Sequence, residues 1–319
     1  MKPAPFTYHL AHDVAETVSL LTELGEDAKI LAGGQSLVPM MNLRLARPSA
    51  LIDVSRIPDL DYLRTRPDGL HIGALTRHRA VELSRDPGLL AGFGVLPRSA
   101  HWIGHYPIRS RGTFGGSIAH GDGTAEWCLL AVLLGAQIVL AGPHGERRVA
   151  ADGFFEGFFT TAAEPDEMIT EVWFPRPARQ AALTEFAQRQ GDFAIVAAAV
   201  SLDLGDDADG PGAEQAEQAQ TGQAQTGQEE AWPGDGGDAR ERAGTASKCR
   251  SVRIVLGGVG PAPVVMDTAD LAGQPASADT WREAGRLAAA QIDPMEEPAY
   301  RKHLTATLVA RALSEAAAQ

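Results

Sequence analysis

Two short stretches carry the residue types that could do chemistry. The first is Ala32-Gly33-Gly34-Gln35-Ser36, inside "LAGGQSLVPMMNLRLA" at residues 31–46. The second is Arg111-Gly112-Thr113-Phe114-Gly115-Gly116-Ser117, which runs on through His120 to Asp122. Glycine lacks a Cβ, so it reaches positive φ at little cost and lets a ligand approach the main chain. Consecutive N–H groups in such a turn converge on one anion, and a helix that follows adds its own free donors and dipole. Hydroxyls stand beside both glycine pairs, at Ser36, Thr113 and Ser117, with Ser36 placed to cap the next helix. This chemistry suits a diphosphate. Neither stretch fits GxGxxG with an acid about 20 positions on, nor GxxxxGK[ST], which disfavours a conventional dinucleotide or ATP loop. Either turn alone reads first as ordinary punctuation at a strand end; the pair, with hydroxyls and a downstream acid, leans toward a phosphate-bearing ligand.

The flanking elements must position these stretches. In "DVAETVSLLTELG", residues 13–25, apolar side chains at Val14, Val18, Leu21 and Leu24 predict a helix, with Asp13 as N-cap and Gly25 as C-cap. "AKILAG" reads as a buried strand and "SALIDVSRIP" as another, so the first glycine turn sits in a strand–turn–short helix–strand layout. From residue 58 the texture changes. "GLHIGALT" predicts a strand, "RHRAVELSRD" and "GLLAGFGVLPRSAHWI" helices, and "CLLAVLLG" a helix leading into strands "AQIVLAG", "ERRVA" and "EMITEVWFP". Pro175-Arg176-Pro177 is a candidate domain boundary. Beyond it "LTEFAQR" and "FAIVAAAVSLDL" read as paired strands, "KCRSVRIVLGGVGPAPVVM" continues them, and two helices close the chain. Between 205 and 246 the sequence collapses to Gly, Ala, Gln, Glu, Asp and Thr, with "QAQTG" in tandem at 218–222 and 223–227. Such a segment cannot bury enough apolar surface to offset an ordering entropy of roughly 1–2 kcal/mol per residue, which predicts a disordered surface insert.

Composition narrows the function class. The chain has 319 residues, 44% apolar and 22% charged, as expected of a soluble globular protein large enough for two or three domains. Its net charge of -13 is concentrated: residues 206–244 hold ten Asp or Glu against two Arg. No basic stripe interleaved with aromatics is present, which argues against a nucleic-acid partner. The only cysteines, Cys128 and Cys249, are far apart and outside any CxxC, so this chain cannot ligate an iron–sulfur cluster or a four-thiolate zinc by itself. Sparse cysteine, an N-terminus without an apolar core and no apolar run near the ~20 residues of a bilayer span predict a cytoplasmic protein without a membrane span.

Taken together, "LAGGQSLVPMMNLRLARPSALIDV" and "IRSRGTFGGSIAHGD", about 80 residues apart, closely resemble the FAD-binding medium subunit of the molybdenum hydroxylases, the carbon monoxide dehydrogenase and xanthine dehydrogenase family. The resemblance continues through "GFFTTAAEPDEMITEVWFP", "QRQGDFAIVAAAV", "VRIVLGGVGPAPV" and "AYRKHLTATLVARAL", covering nearly everything but the insert. It implies an α+β protein: a PCMH-type FAD-binding fold of two α/β subdomains, 1–57 and 58–177, then a C-terminal antiparallel-sheet domain with helices, 178–319. It further implies noncovalent FAD whose diphosphate is gripped from opposite sides by the two glycine turns. By position, Ala32, Gly33, Gly34, Gln35, Ser36 and Leu37 form the first loop, and Thr113, Gly115, Gly116 and Ser117 the second. Asp122 matches an acid that accepts from a ribose-side hydroxyl, and Ile169 a main-chain contact to the flavin or adenine. Phe193 falls where relatives place a bulky side chain near the flavin; packed on a strand, it would instead be a core phenylalanine. The chain departs from the pattern at Ser110, where many relatives have Asn, and at Gly123 and Thr124, where Pro-Ala is usual. His120 reads as a structural hydrogen-bonding residue, because electron passage through a flavin needs no general base from this loop.

The function implied is an FAD-carrying electron-transfer subunit. It would take electrons from the [2Fe-2S] clusters of a small partner and pass them to an external acceptor, while a large partner with a molybdenum cofactor oxidises the substrate. The expected assembly is a dimer of heterotrimers, and no catalytic or metal-ligating residue is assigned to this chain. An alternative is a self-sufficient flavin oxidoreductase of the wider PCMH superfamily, which calls for an aromatic- and polar-rich substrate domain. Aromatics make up only 6% of the chain and its closing helices are alanine-rich. A third reading, a binding or assembly module that has lost FAD, predicts a colourless protein.

Overall fold

A computed structural model describes residues 2–205 and 247–319 of the chain; the low-complexity segment read between 205 and 246 lies, but for its first residue, outside the described residues. The first sheet is parallel. Strand β1 (Thr7–Leu10), helix α1 (Val14–Leu24), strand β2 (Ala28–Leu31), helix α2 (Leu37–Asn42) and strand β3 (Ala50–Asp53) follow in order, with β3 between β1 and β2. Asp13 caps α1 by accepting from the Glu16 N–H at 2.8 Å, and Gly25 closes it at φ 76°, so the local signals act as read.

The second sheet is antiparallel. It contains β4 (Leu63–Arg66) and β5 (Gly69–Gly73), after which the chain leaves through six short helices: α3 (His78–Leu83), α4 (Pro87–Phe93), α5 (Val95–Ser99), α6 (Tyr106–Arg111), α7 (Phe114–His120) and α8 (Glu126–Leu133). It returns as β6 (Gln137–Gly142), β7 (Gly145–Ala150), the small hairpin β8 (Phe155–Gly157) and β9 (Thr160–Thr161), and β10 (Met168–Phe174). Strand order is β4-β5-β10-β6-β7, with β10 bulged between Ile169 and Glu171. Helix α8 is buried on every side from Trp127 to Leu133, which accounts for its nearly unbroken apolar run.

The third sheet is β11 (Gln180–Phe186), β12 (Val196–Gly205), β13 (Lys248–Gly257) and β14 (Val264–Val265), antiparallel in chain order, with helix α10 (Pro298–Ala317) against it and α9 (Ala278–Gln291) packed on α10. Side chains alternate faces along a strand, and here both faces are apolar. Ala181, Leu183, Ala197 and Ala199 join the core around α8 and the second sheet. Ala182, Val196, Ala198 and Val200 join a separate core with α9 and α10. The third sheet is therefore a shared wall rather than an appendage. Among the described residues no helix is long and apolar enough to cross a membrane.

Candidate functional site

All thirteen residues singled out from the sequence line one cavity of about 680 Å3: Ala32 to Leu37, Thr113, Gly115, Gly116, Ser117, Asp122, Ile169 and Phe193. A larger groove of about 1070 Å3, between α1 and the β6–β7 hairpin, contains none of them. The cavity lies where the three sheets meet. The loop after β2 forms one side, α7 another, the bulged end of β10 a third, and the β11–β12 loop reaches over it with Gly191, Asp192 and Phe193.

The first loop is built as an anion seat. Gly34 sits at φ 68°, where a side chain would be strained, and turns the chain so that successive N–H groups follow one another around the bend. The N–H groups of Gly33, Gly34, Gln35, Ser36 and Leu37 have no hydrogen-bond acceptor among the described residues. Gln35 is held back by its own Nε2, which donates to the Gly33 carbonyl at 2.9 Å. Five consecutive polar groups left open around a cavity call for a ligand with several acceptor oxygens. Ser36 stands at the start of α2 but makes no side-chain cap bond, contrary to the capping role expected of it.

The second stretch is not a turn. Thr113 caps α7, accepting from the Gly116 N–H at 3.2 Å, and Gly115, Gly116 and Ser117 lie inside the helix. Its donors are already engaged: Phe114 N–H donates to Thr76 O at 2.8 Å, Gly115 N–H to Ala74 O at 2.9 Å and Ser117 N–H to Thr113 O at 3.1 Å. A Cβ on Gly115 would lie 2.6 Å from the Ala74 side chain, so this glycine serves close packing of α7 on the end of β5. The N–H groups without an acceptor in the chain therefore lie on the first loop rather than on α7. The first loop offers N–H groups, and α7 offers a glycine surface and the Ser117 hydroxyl.

The two segments are also in contact. A Cβ on Gly33 would press on the Arg111 carbonyl oxygen and lie 2.7 Å from Gly112 Cα. Arg77 anchors that same carbonyl with a guanidinium hydrogen bond. At the far end of α7, Gly121 adopts φ 65° and ends the helix, turning the chain to Asp122. Thr124 donates to Asp122 Oδ1 from both its N–H and its hydroxyl, each at 2.8 Å. The departure from the usual residues after the aspartate therefore gives Asp122 a local clamp that leaves Oδ2 for a ligand.

Two lining residues, His78 and Phe159, escaped sequence reasoning. His78 is buried, and burial lowers its pKa to about 3, so it is neutral; its Nδ1 accepts from Trp127 Nε1 at 2.9 Å. His120, in the same wall, is likewise shifted down by burial against the opposing pull of Asp122, and its ring lies 4.9 Å from that of Phe159. Phe159 holds φ 52°, strained for a non-glycine residue, a value that a sequence gives no sign of. Phe193 is 72% exposed and precedes β12, so it is not a core phenylalanine. Among the described residues no cluster of three or more His, Cys, Asp or Glu could hold a metal.

Comparison with known proteins agrees with this geometry. Residues 4–177 match the family described as "FAD binding domain in molybdopterin dehydrogenase", and residues 241–316 match "CO dehydrogenase flavoprotein C-terminal domain". The chain is similar to the carbon monoxide dehydrogenase medium chain of Hydrogenophaga pseudoflava, 41% identical over 204 residues, 63% of this chain and 70% of that one. It is 31% identical to the nicotine 6-hydroxylase medium subunit of Paenarthrobacter nicotinovorans, across 100% of both chains. Among solved structures it superposes on carbon monoxide dehydrogenase from Hydrogenophaga pseudoflava, in a form that lacks the Mo-pyranopterin moiety of its cofactor, with a TM-score of 0.81 and 32% identity over 100% of this chain and 99% of that one. Fold and cavity define an FAD-dependent oxidoreductase subunit with a PCMH-type FAD-binding domain. The chain belongs to the FAD-binding medium subunits of the molybdenum hydroxylase family.

Proposed function

We propose that this chain holds one noncovalent FAD in the 680 Å3 cavity and serves as the electron outlet of a molybdenum hydroxylase complex. In this reading the thirteen residues bind the cofactor. The N–H groups of Gly33 to Leu37 take the diphosphate, Ser117 adds a hydroxyl, Asp122 Oδ2 accepts from a ribose-side hydroxyl, and Ile169 and Phe193 flank the ring systems. The flavin supplies the exchange between one- and two-electron chemistry. The chain's own residues fix its position, keep His78 and His120 neutral beside it, and cover it with the β11–β12 loop. The observation that carries the reading is the run of five N–H groups without an acceptor in the described chain, on residues that line the same cavity as every other sequence-derived site residue.

Electrons would arrive from [2Fe-2S] clusters of a small subunit, since two separated cysteines cannot ligate one, and leave to an external acceptor. A large molybdenum-bearing subunit would oxidise the substrate, in a dimer of heterotrimers located in the cytoplasm. The test is purification with and without the partner subunits. Alone, the chain should bind about one FAD and leave a hydroxylase substrate untouched; with its partners it should copurify and turn the substrate over. Substrate oxidation by the chain alone would instead establish a self-sufficient oxidoreductase.

A further inference from the structure

One pair of acidic side chains has no role in holding the diphosphate. Glu126, the first residue of α8, lines the cavity just beyond Asp122. Behind it stands Glu185 on β11. Ala181 and Leu183 of that strand enter the core around α8, so Glu185, two residues further, is directed at the same interface. Its Oε2 is buried and has no hydrogen-bond partner among the described residues. The charge of Glu126 acts on Glu185, and that of Asp122 acts on Glu126. Among the described residues no Lys or Arg acts on either; the charged group that acts on Glu126 is Asp122 from the loop before α8, with neutral His120 at the end of α7 and neutral His78 in α3 on the same cavity wall.

A buried carboxyl without a cation cannot stay ionised cheaply, even where, as at Glu126, its own backbone N–H donates to it, and carboxyls that interact titrate together. Resting on the FAD reading above, we propose that Glu126 in the wall of the cavity, with Glu185 behind it, forms a proton store that takes up a proton from solvent as negative charge enters the cavity. The balance is simple: the diphosphate brings negative charge, a carboxylate oxygen of the pair gains one proton from the buffer, and no electron moves. Burial, reinforced by Asp122, pushes Glu126 up to about 7; burial, reinforced by Glu126, pushes Glu185 up to about 8. At neutral pH the pair is therefore partly protonated and poised to accept more, and any further negative charge gained by the bound flavin would act in the same direction.

The test uses the full chain in two arms. In the FAD-free protein, infrared titration should show a protonated-carboxyl C=O stretch that fades between about pH 7 and 8, and that is absent from the double variant Glu126→Gln, Glu185→Gln. Glutamine mimics the protonated carboxyl in size and polarity, and thermal melting checks that the variant folds. In the second arm, calorimetry of FAD binding in phosphate and in Tris at pH 7.5 should give net uptake of up to about one proton per FAD. That uptake should persist in His120→Asn and vanish in the double Gln variant. A missing infrared band, uptake that survives the double substitution, or uptake that disappears in His120→Asn overturns the proposal. A wild-type chain that shows the band yet binds no FAD overturns the cofactor reading, and charge compensation with it.

Discussion

Gly33 lies against the Arg111 carbonyl so closely that a methyl group in place of its hydrogen would have to enter the backbone of the second segment. The loop that offers open N–H groups and the helix that faces it are thus set at a fixed spacing by one absent side chain.

Gly33→Ala is expected to force the two segments apart. The clash is with backbone, which cannot swing aside, so a cost of about 1–3 kcal/mol is expected. FAD affinity should fall at least tenfold and the melting temperature should drop, read by flavin fluorescence titration and by thermal unfolding. An unchanged affinity would mean that this contact does not set the loop.

Phe193→Ala separates packing from ligand contact. Because Phe193 is 72% exposed, its loss should leave stability within about 0.5 kcal/mol of the parent. If the ring stacks on the cofactor, affinity should fall by roughly threefold to tenfold, the scale of one aromatic pair. Urea denaturation without FAD and equilibrium titration with it check the two halves separately.

Thr124→Val removes the hydroxyl that donates to Asp122 Oδ1 at 2.8 Å but leaves the N–H bond to the same oxygen. A net loss of about 1 kcal/mol follows for one such bond. It should register as weaker FAD binding with little change in melting, since the clamp serves the ligand-facing carboxylate.

Acid should destabilise the fold through His78. Its pKa is lowered from 6.5 to about 3 by burial, so the unfolded chain binds a proton that the folded one refuses. The stability this gives is full above about pH 6.5 and is lost as pH falls toward 3, at up to about 1.4 kcal/mol per pH unit. His78→Gln should flatten the acid limb of a denaturation-versus-pH curve, at the expense of a lower plateau from the disturbed Trp127 bond.

The sequence was most informative where local rules decide structure. Asp13 and Gly25 bracket α1 as their cap preferences require, and the apolar run of α8 is long, uninterrupted and buried all round. It was least informative where tertiary contact decides. Gly115-Gly116 reads as a turn, yet those glycines sit in a helix capped by Thr113, where Ala74 leaves no room for a Cβ at Gly115. Ser36 has the right type for a cap and does not act as one. Glu126 and Glu185 are 59 positions apart and look like ordinary charged residues until the third sheet closes on the core around α8. The thirteen lining residues were found through resemblance plus glycine chemistry, whereas His78 and Phe159 carried no local mark of where the fold would put them.

The double-faced third sheet has a consequence for how this protein can be taken apart. A fragment ending near residue 177 would strip the core around α8 of Ala181, Leu183, Ala197 and Ala199, and bare part of that apolar helix to water. The same cut would remove the strap carrying Phe193 and the carboxyl behind Glu126. The nucleotide-holding portion is therefore no portable cassette: whatever evolution or an engineer grafts, the third sheet has to travel with it.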